Sequence, residues 1–223
     1  MAITLKSDIN VELIKHNCAD IDVARAAWVS NFGSDAREKD SERVEGLINF
    51  LVRERHWSPV EHNSLTVFVE VPIFVSREVV RHRTFSYNEW SGRYAQLEPV
   101  FYMPERQRPL VQQGKVGAYT FAPGSDEQYD EVVSATKEAY GAAWRSYEDM
   151  LDAGVAREVA RNVLPVGIYT KFYMTGNLRN WFQFFALRSE AQALHEIREM
   201  SHKIEDIVKE IAPITYEAWR KHG

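Results

Sequence analysis

A single cysteine, Cys18, stands in the 223-residue sequence. That excludes an intrachain disulfide and any cysteine-rich zinc or iron–sulfur centre, since each needs several thiolates from one chain. Long apolar runs are missing as well. None approaches the roughly 18 to 20 residues of a membrane-spanning helix, and the opening segment MAITLKSDINVELIKHN lacks the continuous apolar core of a signal peptide. Nor is there an excess of positive charge. Lys+Arg number 27 against 32 Asp+Glu, a net −5 that counts against a nucleic-acid coat or a basic membrane-surface protein. The expected location is the cytoplasm, with neither membrane nor nucleic acid as partner. None of the eleven glycines forms G-x-G-x-x-G or G-x-x-x-x-G-K-S/T, so the Rossmann fingerprint and the P-loop are both absent. A nucleotide cofactor would have to be held by side chains, and arginine, whose planar fork pairs two phosphate oxygens at once, suits that task.

The length favours one domain spanning residues 1–223. Helical periodicity dominates. Val44, Leu47, Ile48, Leu51 and Val52 form one apolar stripe behind a possible N-cap at Ser41. A second stripe runs from Asp126 to about Ala153, with Gly154 where a C-terminal cap is expected. A third, through Leu194, Ile197, Ile204, Ile207, Val208 and Ile211, is stopped by Pro213. The segment SLTVFVEVP alternates as a strand through Leu65, Val67, Val69 and Val71. Residues 86–95, 99–104 and 166–174 are further strand candidates. The stretch 104–126, rich in Pro, Gly and polar residues, reads as a long loop-like excursion. The expected class is α+β, with long helices packed on a small, mostly antiparallel sheet.

Arg77, Arg81, Arg83, Arg93 and His82 crowd into residues 77–93 of an otherwise acidic chain. Pro72 suits the first turn of a helix over 73–83, which would put Arg77 and Arg81 on one face. Beyond it Glu89, Ser91 and Arg93 alternate with Trp90, Gly92 and Tyr94, and an extended backbone would project the first three to one side. A carboxylate, a hydroxyl and a guanidinium so placed can recognise a pyrimidine ring and a phosphate, with Gly92 permitting close approach. On residue density alone, a solvated charged stretch whose arginines pair with Glu78 and Glu89 is the favoured reading, since exposed charge runs are common.

The order of the residues decides further. Arg81 to Arg93 reads R-H-R-T-F-S-Y-N-E-W-S-G-R and fits R-H-R-x-x-S-x-N-E-x-S-x-R at every fixed position. This resembles the signature of the flavin-dependent thymidylate synthases, the ThyX family. His56-Trp57-Ser58-Pro59-Val60-Glu61-His62 is similar to a flavin-binding segment of the family, and Arg161-Asn162-Val163-Leu164-Pro165 to its R-x-x-L-P element. Asn177-Leu178-Arg179, followed by Phe184-Phe185-Ala186-Leu187-Arg188, resembles a segment bearing flavin contacts and a nucleotide-activating arginine.

The resemblance implies methylation of dUMP to dTMP, with 5,10-methylenetetrahydrofolate as carbon donor and FAD reduced by NADPH as hydride donor. It also implies a homotetramer whose active sites lie where subunits meet. Implied flavin contacts are Ser58, Arg81, His82, Arg83, Glu89, Asn177, Leu178, Arg179 and Gln183; the last stands where relatives carry Asn or His. Implied dUMP contacts are Glu78, Arg81, Glu89, Ser91, Gly92, Arg93, Arg161 and Arg188. Arg188 is implied as the catalytic residue, stabilising charge on ionised uracil in place of a thiol nucleophile. His56 would orient water or folate; separately from the resemblance, the loop character of Tyr119 to Phe121 is compatible with a mobile flap over folate. No metal is expected: His56, Glu61 and His62 lack a third ligand at a familiar spacing, and H-E-x-x-H is absent. Cys18, with no motif around it, reads as a small half-buried residue. A flavin NAD(P)H oxidase without methylation and a single-stranded nucleic-acid module are the alternatives.

Overall fold

The computed structural model describes residues 2–38, 43–115 and 118–223. Its strands in chain order are β1 (Thr4–Lys6), β2 (Asn10–His16), β3 (Leu65–Pro72), β4 (Ser86–Glu89), β5 (Val100–Tyr102), β6 (Val111–Lys115), β7 (Ala118–Ala122) and β8 (Tyr169–Gly176). The helices are α1 (Asp20–Phe32), α2 (Val44–Arg53), α3 (Ile73–Val79) and α4 (Asp126–Asp152), then α5 (Arg157–Ala160), α6 (Leu178–Arg188), α7 (His195–Ile211) and α8 (Pro213–His222). One sheet has the order β2-β3-β8-β4; β1 pairs parallel with β5, and β6 pairs antiparallel with β7. The class is α+β, as expected. Among the described residues no helix is long and apolar enough to cross a membrane.

The chain divides into two compact units. The first comprises Met1–Ile9, Glu70–Val80 and Glu89–Lys171. Its core gathers Phe101, Trp144, Tyr147, Ala160 and Ile168, with Phe101 stacked on Tyr140 at 4.8 Å. Helix α4 carries both of its stops in its sequence. Ser125 and Gln128 cap the start reciprocally, at 3.2 Å (Gln128 N–H to Ser125 Oγ) and 2.9 Å (Ser125 N–H to Gln128 Oε1). At the other end Gly154 adopts φ +80°. Gly154 and Val155 donate to the carbonyls of Leu151 and Met150, the double closure that a left-handed residue permits.

The second unit comprises Asn10–Val69, Arg81–Asn88 and Phe172–Gly223. Leu65, Val67 and Val69 of β3 are buried, as are Ile48, Leu51 and Val52 of α2. Ser41, the expected cap of α2, lies outside the described residues. Helix α6 buries Leu178, Trp181, Phe182, Phe184 and Phe185. Helix α7 ends at Ile211, before Pro213 as expected. Pro213 then opens α8, whose first turn donates to Asp20: Ile214 N–H at 3.0 Å, Thr215 N–H at 2.8 Å and Thr215 Oγ at 2.6 Å. A carboxylate facing a helix N-terminus is favourably placed.

Three local expectations change. Helix α3 stops at Val79, so Arg81 and His82 fall in the turn after it and Arg81 does not share a helical face with Arg77. Strand β4 stops at Glu89, because the chain turns back on itself: Tyr94 and Ala95 N–H both donate to the Ser91 carbonyl at 3.1 Å. The excursion 104–126 holds the β6–β7 hairpin, so Tyr119 to Phe121 form a strand rather than a loop.

Gly176, at the end of β8, lies where a Cβ would come within 2.4 Å of Phe85 Cε1. Phe85 is itself wedged against Trp181 at 4.6 Å and cannot yield freely. Gly176→Ala is expected to cost ~1–3 kcal/mol by overpacking, lowering Tm by roughly 2–10 °C for a chain of this size. Scanning calorimetry checks this, and an unchanged Tm would contradict it.

Candidate active site

In the first unit, four separate stretches line a cleft of about 510 Å³. Helix α3 supplies Ser76 and Arg77, the end of β4 and the turn after it supply Glu89 to Gly92, the R-x-x-L-P element supplies Arg161, Asn162 and Leu164, and β8 supplies Tyr169 and Thr170. Glu89 is held by the Thr170 hydroxyl, which donates to its carboxylate at 2.6 Å. Trp90 is anchored by its N–H to the Lys171 carbonyl at 2.8 Å, with the Lys171 ammonium 5.1 Å from its ring centre. Gly92 is hemmed in: a Cβ there would stand 3.1 Å from Leu97 Cδ1. Arg93 does not line the cleft and forms an exposed ion pair with Glu158 at 3.0 Å. Glu78, on α3, does not line it either.

In the second unit, the segments 56–62 and 177–179 meet. Asn177 caps α6 by accepting from Asn180 N–H at 3.0 Å, while Leu178 N–H donates to Asn63 Oδ1 at 2.9 Å. Arg179 pairs with Glu61 and lies 5.9 Å from the Trp57 ring centre. Leu178 is fully buried, so its side chain is core. Ser58, Arg81, Arg83, Gln183 and His56 are exposed. At the far end of α6, Arg188 Nε donates to His82 Nε2 at 2.9 Å. Burial, and after it the Arg188 charge, lower the His82 pKa to about 4. The imidazole is therefore neutral near pH 7. An unfolded histidine protonates near 6.5, so the folded state loses stability as pH falls from there towards about 4.

Cys18 is fully buried rather than half-buried. Burial, together with Asp22 and Asp20, pushes its thiol up to about 12. A nucleophilic cysteine needs the reverse, a depressed pKa and access. This thiol is structural.

The family described as "Thymidylate synthase complementing protein" matches residues 12–214. The flavin-dependent thymidylate synthase of Streptomyces coelicolor is 48% identical, the alignment covering 99% of this chain and 94% of that one. Its counterpart from Tropheryma whipplei is 46% identical over 97% and 94%. A UMP/dUMP methylase, PolB from Streptomyces cacaoi, bound with 5-Br dUMP, superimposes with a TM-score of 0.92 at 40% identity over 99% of this chain and 98% of that one. The same methylase bound with 5-Br UMP gives 0.92 at 39% identity. The chain belongs to the flavin-dependent thymidylate synthase family.

For this flavin-dependent thymidylate synthase family member, tertiary structure sorts the signature between two settings. Glu89, Ser91, Gly92 and Arg161 gather in the cleft of the first unit; Arg81, His82, Arg83 and Arg188 belong to the second. Arg77, Trp90, Asn162, Tyr169 and Thr170 also line the cleft without having been singled out as site residues. Arg77 was visible in the arginine cluster. Thr170 gave no signal, because a threonine in a strand looks like any β-former. Asn63, which holds the start of α6, was equally silent. The state of Cys18 is directly testable. Iodoacetamide at pH 8 is expected to leave the native protein unmodified by mass spectrometry and to alkylate it once unfolded in guanidinium chloride. Rapid native labelling would contradict the buried thiol.

Proposed function

We propose that this chain, acting over residues 1–223 as one enzymatic domain, converts dUMP to dTMP in the cytoplasm. The carbon comes from 5,10-methylenetetrahydrofolate, and reducing equivalents come from NADPH through FAD. Family membership supports the reaction class. The observation that carries the substrate assignment is the cleft uniting Glu89, Ser91, Gly92 and Arg161, which brings a carboxylate, a hydroxyl and a guanidinium to one lining.

Each residue has a task that its chemistry can meet. Arg161 and Arg77, which both line the cleft, supply positive charge for the nucleotide phosphate. Glu89 accepts hydrogen bonds from the nucleotide while Thr170 holds its orientation. Gly92 completes the lining with its main chain, and Leu97 fills the space a side chain there would take. Arg81 and Arg93, cationic side chains at the surface, and Glu78 complete the proposed dUMP set. Arg188 stabilises negative charge on the uracil ring, an electrostatic activation that needs no thiol.

The flavin fits the second unit by the chemistry of its donor set. Arg81, Arg83 and Arg179 offer guanidinium groups, and Ser58, Asn177 and Gln183 offer neutral hydrogen-bonding groups, matched to a dinucleotide with a pyrophosphate. When bound, FAD supplies hydride chemistry that no side chain possesses. The chain's own part is to bind it, orient it and provide counter-charge. In the homotetramer proposed here, active sites form where subunits meet, so the two residue sets need not come from one copy.

The test is an anaerobic NADPH titration of the yellow holoenzyme, followed near 450 nm, with and without dUMP, and then dTMP analysis by chromatography. Bleaching that responds to dUMP, with dTMP formed once the folate is added, is expected. Bleaching without dTMP would favour a flavin NADPH oxidase, and a protein that stays colourless with added FAD would refute the assignment. Arg188→Ala is expected to slow dTMP formation by about 10²-fold with flavin retained. A near wild-type rate would remove Arg188 from catalysis. Thr170→Val, which deletes the donor to Glu89, is expected to weaken dUMP binding about tenfold, the loss of roughly 1.5 kcal/mol for a hydrogen bond to a charged group. Isothermal titration calorimetry reads that change directly.

A further inference from the structure

Arg188 is the last residue of α6, and a helix end frays unless its final turn is tied to something. No glycine closes this one. Ser189 follows in a right-handed conformation, φ −87° and ψ −7°, with its N–H donating to the Phe185 carbonyl at 3.0 Å. The Ser189 hydroxyl supplies the tie. It donates to Glu205 Oε1 and lies 2.8 Å from Ser201 Oγ, both on α7. A hydroxyl has one hydrogen, so Ser201 is the donor in the second contact. Glu205 Oε2 accepts from the Tyr216 hydroxyl of α8 at 2.8 Å. Burial and the neighbouring Glu205 push that phenol up to about 12, which keeps it a donor at neutral pH. Three helices therefore meet in one chain of hydrogen bonds, in which Ser201 is fully buried and Glu205 nearly so.

We propose that Ser189 is a positioning residue for Arg188, fixing the final turn of α6 so that the guanidinium departs from a set point. The proposal rests on the catalytic role given to Arg188 and holds whatever else its side chain touches. The choice of residues supports it. Apolar side chains could join α6, α7 and α8, but apolar burial has no direction. A carboxylate taken out of water is costly unless its oxygens are met, and here hydroxyls meet both. A fully satisfied buried network of this kind rigidifies and specifies one arrangement. The residue so held is the immediate neighbour of Arg188, and electrostatic stabilisation depends on charge that is in place before the reaction.

The experiment uses the FAD-loaded enzyme and the variants S189A, S201A, R188A and S189A/R188A, with kcat taken per bound flavin. S189A removes the hydroxyl and is expected to lower kcat for dTMP formation about tenfold, the scale of one hydrogen bond to a charged group. KM for dUMP should stay nearly unchanged. S201A leaves the Ser189–Glu205 bond in place and is expected to lower kcat by less. The double variant should be no slower than R188A, because the serine acts through the arginine. Independently of turnover, hydrogen exchange read by mass spectrometry should be about tenfold faster over the last turn of α6 in S189A, with the first turn unchanged. A lowered Tm with kcat intact in S189A would mean a merely structural bond and overturn the proposal. So would losses that multiply in full in S189A/R188A, or unchanged exchange at the end of α6. A wild-type enzyme that makes no dTMP would instead fail the functional proposal, and the exchange rates would still decide whether the hydroxyl holds the turn.

Discussion

The mutual packing of Phe85, Trp181 and Phe184 is the arrangement on which the placement of Arg188 depends. Phe85 meets Trp181 at 4.6 Å and Phe184 at 6.1 Å, and the pair of phenylalanines walls the His82 ring. Aromatic edge-to-face contacts of this kind add directional preference to the apolar area they bury. They also exclude water from one side of the imidazole, which favours its neutral form. Gly176 is small because Phe85 occupies the space its Cβ would take. Core geometry and site electrostatics are therefore one problem in this unit.

A chain of net charge −5 must create positive potential locally, and the arginines show several solutions. Some are tethered to carboxylates, as Arg179 is to Glu61 and Arg93 to Glu158. Such exposed pairs contribute little stability, since solvent screens them and side-chain entropy opposes them. What they do is restrict where long side chains can go. Arg188 donates through Nε to the His82 ring at 2.9 Å. The cleft of the first unit balances in another way, with Glu89 among Arg77, Arg161 and neutral donors. That mixture suits a ligand carrying both an anionic phosphate and a hydrogen-bonding base better than it suits a bare anion.

Much of this was legible in the residues. The α4 stripe, its Ser125/Gln128 start and its Gly154 stop are local devices, and each sits where periodicity places it. The alternation of β3 and the apolar face of α7 are equally local. The failures lie in turns and short elements whose hydrogen bonding residue type and periodicity do not specify. Strand β4 ends at Glu89 because the backbone turns over Ser91, and α3 ends at Val79 although the arginines beyond it are good helix formers. The hairpin β6–β7 exists through pairing of its own two strands, which a loop-like composition conceals.

By itself the sequence determined the α+β class, the chemistry available and, through the order of residues 81–93, the family. Those follow from residue identity and spacing, which need no third dimension. Only the tertiary structure decided that Glu89 is steered by Thr170, that Arg188 rests on His82, and that Cys18 is a sealed thiol. The first two join groups far apart in the chain, set by which hydrogen-bond donor meets which acceptor, and the third is set chiefly by how much water the packing leaves around the thiol.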